Sequence, residues 1–352
     1  MYEKYYDLTA PPFQLTPDSR FFFESRAHAR AIAHLTFGLA QGEGFVVVTG
    51  EVGAGKTTLM ERLLSQLDRG TYAIARINTT QVSGDDLFRL AMAGFGVDTR
   101  DASKSTLLLR FEEALREYRM TGQRCLLIVD EVQNLSLAAL EELRMLSNIT
   151  EGGRASLQTI LLGQPQFRRI LASPELDQLR QRVLASYHLG PLTRDETRQY
   201  IQHRLTMAGW QGNPRWHDAA FAAVFDHSGG IPRRINRLCA RVLVYGALEE
   251  TADITGEMVE TAADELAQDL ESGGAAPNGT SPRAASPREL ARLGPQPYEE
   301  AGLYGAPNGM SNGAGQLAEL RQRLDVLEAR VARRERVFQR LVALLGQEGQ
   351  GG

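Results

Sequence analysis

Residues 45–57 constrain the fold more than any other stretch. They read Phe-Val-Val-Val-Thr-Gly-Glu-Val-Gly-Ala-Gly-Lys-Thr. An apolar run of strand length leads into G-x-x-x-x-G-K-[ST], and a helical pattern follows over 57–67. Strand, glycine-rich turn and helix, in that order, are the context in which this spacing builds a phosphate cradle. Gly50, Gly53 and Gly55 let the backbone turn its N–H groups inward. The helix N-terminus adds the positive end of its dipole. Lys56 can reach β- and γ-phosphates as a mobile charge, and the Thr57 hydroxyl can ligate Mg²⁺. The expected phosphate-site residues are Gly50, Glu51, Val52, Gly53, Ala54, Gly55, Lys56, Thr57 and Thr58.

A second apolar run, Leu126-Leu127-Ile128-Val129, ends in Asp130-Glu131, 74 residues after Lys56. A carboxylate at a strand tip can hold Mg²⁺ beside bound phosphates. A neighbouring one can orient and deprotonate a water for attack on the γ-phosphate. Asp130 is therefore expected at the metal with Thr57, and Glu131 at the water. The expected cofactors are ATP and Mg²⁺. Gln164 follows the apolar run 157–163 and should emerge at the same sheet edge, within reach of the γ-phosphate or the water. Arg180 and Arg182 precede the last strand, where one of them can serve a neighbouring subunit's γ-phosphate. Pro232 suits a helix start, which projects Arg233 from the first turn.

Five strands are expected, at 45–49, 72–78, 125–130, 157–163 and 183–189, with helices between them, for example over 104–120. Near-continuous apolar strands joined by helices predict a parallel sheet covered on both faces. From 193 to 270 only helical patterns occur. The expected organisation is a nucleotide-binding domain over 1–192, an all-helical lid over 193–270, a linker over 271–315 and a helix over 316–346. Residues 272–315 carry nine glycines and six prolines, too little apolar surface to offset ordering entropy. In the tail, Leu317, Leu320, Leu324, Leu327, Val331, Arg334, Phe338, Leu341 and Leu345 are spaced as a heptad seam. That spacing predicts a short coiled coil. A single docked helix and a membrane-surface helix remain alternatives.

Composition narrows the classes further. Lys and Arg number 39 against 43 Asp and Glu, a net charge of −4. That is no footprint for nucleic acid over the whole chain. Two distant cysteines, Cys125 and Cys239, build no disulfide framework, and the six histidines do not cluster. Each histidine reads as an ordinary core or surface residue. No apolar run is long enough to span a bilayer, and the N-terminus lacks a signal-peptide pattern. These features point to the cytoplasm. Pro11-Pro12-Phe13 and Phe21-Phe22-Phe23 suggest a segment wrapping the phosphate-loop domain and packing near the adenine.

Together these motifs resemble the AAA+ ATPases over about residues 1–270. The resemblance implies an α/β fold of the P-loop NTPase type, with a five-stranded parallel sheet and a helical lid. It places Gln164 at the sensor-1 position, Arg182 or Arg180 at the arginine finger, and Arg233 at sensor 2. It also implies a homo-oligomer, a ring such as a hexamer. More narrowly, YEKYYDLTAPPFQLTPDSRFFF and HARAIAHLTFGLAQGEGFVVVTGEVGAGKTTL are similar to the ExeA/GspA-type secretion ATPases, in particular to their exosortase (PEP-CTERM) locus subfamily. That implies an ATPase supporting export or assembly of envelope material, exopolysaccharide included. Its partners would be envelope or membrane export proteins, engaged through the C-terminal helix, with a peripheral position at the inner membrane. ExeA-type proteins carry a transmembrane helix and a peptidoglycan-binding region where this chain has the linker and heptad helix. A DNA-dependent transposition-helper ATPase shares the core motifs and stands as the alternative.

Overall fold

The computed structural model describes residues 2–273, except 17, 69, 79–82 and 101. Residues up to Ser272 belong to one compact unit. The heptad helix and the linker beyond Gly273 lie outside the described residues. Where the linker was expected to begin, at 271, the last helix still continues, ending at Gly273.

The first part alternates strands and helices in chain order: α1 (Arg26–Gln41), β1 (Phe45–Gly50), α2 (Lys56–Gln66), β2 (Tyr72–Asn78), α3 (Gly84–Gly94), α4 (Lys104–Met120), β3 (Arg124–Asp130), α5 (Leu137–Leu146), β4 (Leu157–Gly163) and β5 (Val183–Leu189). The five strands pair in parallel in the order β2-β3-β4-β1-β5. Alternate residues of a strand point to opposite faces. Phe45, Val47, Leu127 and Val129 enter one apolar core, while Val46, Val48, Leu126 and Ile128 enter another. Both faces are covered, which is why these strands carry few polar residues. The helix starts are encoded locally. Ser25, Ser83, Ser103 and Ser136 each accept a backbone N–H of the first turn, which satisfies donors a helix start leaves unpaired.

A helical region follows: α6 (Arg194–Met207), α7 (Asp218–Ser228), α8 (Pro232–Leu248) and α9 (Gly256–Gly273). Thr193 and Glu196 form a reciprocal capping box at the start of α6. Two features differ from the sequence reading. The region contains a two-residue parallel pair, Arg215–Trp216 with Asp253–Ile254, too short to show as periodicity. The start of the N-terminal segment, though not Phe21–Phe23, also packs elsewhere than expected. Tyr6, Leu8 and Phe13 sit in the core of the helical region, with Trp216, Ile235 and Val242. Polar contacts fix them there: Tyr6 donates its hydroxyl to the Thr251 carbonyl at 3.1 Å, and Thr9 N–H donates to the Ala208 carbonyl at 2.8 Å.

The turn into α8 depends on Gly230. Its φ is +71°, and a Cβ there would run into the Leu192 carbonyl, whose own N–H is bound by the Gly230 carbonyl at 2.9 Å. Left-handed backbone costs an L-residue about 1–2 kcal/mol before any overlap. Gly230→Ala is thus expected to destabilise the protein by about 2 kcal/mol or more, read from urea unfolding.

Candidate functional site

The phosphate loop, residues 50–57, leaves the C-terminal end of β1 and enters α2. Gly55 has φ +97°, a conformation open to glycine and costly for other residues. Lys56 is buried, and its Nζ donates to the carbonyls of Gly50 at 2.8 Å and Glu51 at 3.1 Å. Burial lowers its pKa, against the opposing pull of the charges on Glu131, Asp130 and Glu51. Ala54 is buried beneath the loop, while Val52 stands half exposed. Thr57 donates from Oγ1 to Asp130 Oδ2 at 3.2 Å.

Asp130 and Glu131 sit where β3 ends, beside β4 and, through it, β1. Asp130 is buried, and its Oδ1 accepts the Glu131 backbone N–H at 2.8 Å. Glu131 has φ +53°. Such a conformation in a non-glycine residue must be held by its surroundings, and is often found at functional sites. Its Oε2 accepts from Gln133 Nε2 at 2.5 Å and from Gln164 Nε2 at 3.1 Å. Burial pushes its carboxyl up in pKa, but these two donors and the Lys56 charge outweigh it, so the group ends below the ordinary glutamate value.

A cleft of about 400 Å³ opens over the loop. Val52, Gly53, Gly55, Lys56, Thr57, Thr58 and Glu131 line it from the sheet side, and Pro232 and Arg233 from α8. The Arg233 N–H donates to the Gly53 carbonyl at 3.2 Å, so the start of α8 rests on the phosphate loop. Phe21, Phe22 and Phe23 also line the cleft.

Arg180 and Arg182 are not brought to this cleft. They precede Val183, which pairs with Phe45 at the opposite end of β1 from the loop. At ~3.3 Å per residue that is roughly 17 Å of strand. Arg182 Nη1 donates to the Ser147 carbonyl at 3.2 Å and to its hydroxyl at 3.3 Å. Arg180 pairs with Asp177 at 2.7 Å and is half exposed.

Several neighbours were not singled out from the sequence. Gln133 clamps both Glu131 and, through Oε1, the Gln164 N–H at 2.9 Å. Its place two residues after Glu131 was the only available signal. Arg76 on β2 lies 4.0 Å from Asp130 Oδ2 and 4.0 Å from Glu61, with Nε buried and unbonded. Arg204 is buried over the Phe21 ring, donating Nε to the Pro12 carbonyl at 2.6 Å and Nη1 to Tyr200 at 2.8 Å. His28, on α1, lines the cleft as well.

Residues 39–171 match the family described as AAA domain. The sheet and helical region are similar to Cdc6p from Pyrobaculum aerophilum, with a TM-score of 0.56, 16% identity and 71% of each chain covered. The ADP form of the Aeropyrum pernix ORC2 protein matches with a TM-score of 0.56, 16% identity and 72% of each chain covered. The fold is that of an AAA+ P-loop ATPase. The chain is also similar to general secretion pathway protein A of Aeromonas hydrophila, 38% identical over 245 residues. That match covers 69% of this chain and 44% of the relative, so the chain spans less than half the length of its curated relative. No helix among the described residues is long and apolar enough to cross a membrane.

Proposed function

We propose that this chain binds ATP with Mg²⁺ and hydrolyses it, acting as a motor or switch in secretion or assembly of envelope material. The observation that carries the hydrolysis is Glu131. Both of its side-chain bonds fall on Oε2, so Oε1 keeps its lone pairs for a water. The lowered pKa keeps the carboxylate ionised at neutral pH and ready to take that water's proton. Lys56 stands ready to leave the loop carbonyls for phosphate oxygens. Gln164 positions Glu131 and lies within reach of the γ-phosphate side. Arg233, tied to the loop at Gly53, gives α8 a charge that bound phosphate would draw in, closing the helical region 193–270 as a lid.

The donor set fits Mg²⁺ as well. Mg²⁺ in nucleotide sites takes one or two protein oxygens and otherwise phosphate and water, and Thr57 Oγ1 with Asp130 offers that number. Among the described residues no larger group of His, Cys, Asp and Glu competes for it. The ion would neutralise charge on the transferred phosphoryl group.

The secretion reading rests on the similarity to general secretion pathway protein A. The exopolysaccharide and exosortase assignment rests on the N-terminal sequence pattern, and we place the protein in the cytoplasm at the inner membrane on the same ground. Arg182 or Arg180, remote from this chain's own cleft, would complete a neighbour's site in a ring.

Lys56→Ala is expected to weaken ATP binding about 30-fold or more, the worth of one charge-assisted hydrogen bond of about 2 kcal/mol, measured by nucleotide titration. For the cellular role, tagged Glu131→Gln protein would be recovered from cells with ATP present. Co-purifying envelope export or polysaccharide-synthesis proteins support the proposal. Recovery of DNA with a transposase would replace it with the DNA-dependent alternative.

A further inference from the structure

Histidine 28 is the one histidine lining the phosphate-loop cleft among the described residues. It lies on the first turn of α1, 5% exposed. A Cβ placed on Gly55 would stand 3.0 Å from its Nε2, so the ring edge lies against the loop one residue before Lys56. Its other nitrogen, Nδ1, is 2.7 Å from Ser25 Oγ. The ring also meets Phe22 edge-on, with centroids 5.7 Å apart.

The tautomer follows from Ser25. Its Oγ already accepts the His28 backbone N–H at 3.2 Å as the helix cap. The hydroxyl is buried, and among the described residues His28 Nδ1 is the acceptor within its reach. Ser25 therefore donates to Nδ1, and the ring proton sits on Nε2, beside Gly55. Burial pushes the ring's pKa down to about 4, with a smaller opposing pull from Glu196. At neutral pH the ring is uncharged and holds a single N–H beside the Gly55 turn.

We propose that His28 is a nucleotide-binding residue whose Nε2–H donates to the bound nucleotide at the Gly55 turn of the phosphate loop, with Ser25 as the positioning residue that fixes the tautomer. The inference rests on the nucleotide reading of the cleft. The site is at the Gly55 turn of the loop, so the contact would serve ATP and ADP alike. A neutral donor fits the place. A second cation next to Lys56 would be repelled in the empty site, whereas N–H to a charged oxygen still contributes when the nucleotide arrives.

The test is nucleotide titration of His28→Leu, which keeps the bulk but not the donor, and of His28→Gln, whose Nε2 amide can stand where the ring N–H stood. The expected result is a loss of about tenfold or more in affinity for both ATP and ADP in His28→Leu, restored to within about threefold in His28→Gln. Thermal unfolding without nucleotide separates a folding defect from a binding one. Long-range ¹⁵N spectra of the wild type should show the Nε2–H tautomer, with its signal moving when ADP is added. Unchanged affinity in a folded His28→Leu protein, or an Nδ1–H tautomer, would overturn the proposal. If instead the wild type bound no nucleotide, the reading of the cleft itself would fail before His28 came into question.

Discussion

Glu131→Gln protein is expected to hold ATP at near wild-type affinity and to hydrolyse it about 10²–10⁴-fold more slowly, the usual contribution of a positioned general base. The change is conservative in shape. The amide oxygen can still accept from Gln133 and Gln164, which hold the present carboxylate by Oε2, so the loop geometry should persist. What is lost is a group able to accept the water's proton. Phosphate release measured beside nucleotide affinity separates the two. Undiminished turnover would remove Glu131 from the chemistry, and lost binding would make it a structural support. The pH profile adds a sign. The folded carboxyl lies below its ordinary pKa, so it stays ionised until the pH falls below the usual value of about 4.3. The wild-type rate should therefore show no acid limb from this group between neutral pH and that value.

The second large effect concerns Arg182 and Arg180. Loss of whichever one completes a neighbour's site should reduce turnover by about 10³–10⁵-fold, as for arginines supplied in trans to other phosphoryl-transfer sites. Alanine at each position, and at both, would identify it. The two arginines are held differently: Arg182 leans on Ser147, and Arg180 pairs with Asp177 at the surface. A structural role predicts lowered stability. A role in trans predicts that mixing the inactive arginine variant with Glu131→Gln protein restores turnover, because each supplies what the other lacks. Wild-type rates in the double variant would dismiss both residues.

The five strands were legible to within one residue at each end. The three central strands, β3, β4 and β1, are compact apolar runs, and a parallel sheet buried on both faces leaves little else for such runs to be. The phosphate loop and Asp130-Glu131 were legible because strand ends bring them to one edge of that sheet. Long-range packing was not. Tyr6, Leu8 and Phe13 have the composition of a segment that packs somewhere, but nothing local says that their partners are Trp216 and Val242 rather than the phosphate-loop domain. His28 was invisible for a related reason. Its importance comes from a distance to Gly55, not from a motif, and Ser25 three residues earlier reads only as a helix cap. The pair Arg215–Trp216 with Asp253–Ile254 is shorter than any period that could reveal it.

The seating of the first residues in the helical core has a consequence for how the protein is made. Tyr6 and the Thr251 carbonyl that it binds are 245 residues apart. At a synthesis rate of ~5–20 residues per second, the N-terminal aromatic residues wait roughly 12–50 s for their partners. During that interval the sheet can assemble on the ribosome while Tyr6, Leu8 and Phe13 remain uncovered. Completion of the helical region then reports that translation has passed every residue of the cleft. A product truncated before Thr251 would leave Tyr6, Leu8 and Phe13 uncovered, a ready mark for chaperones and proteases.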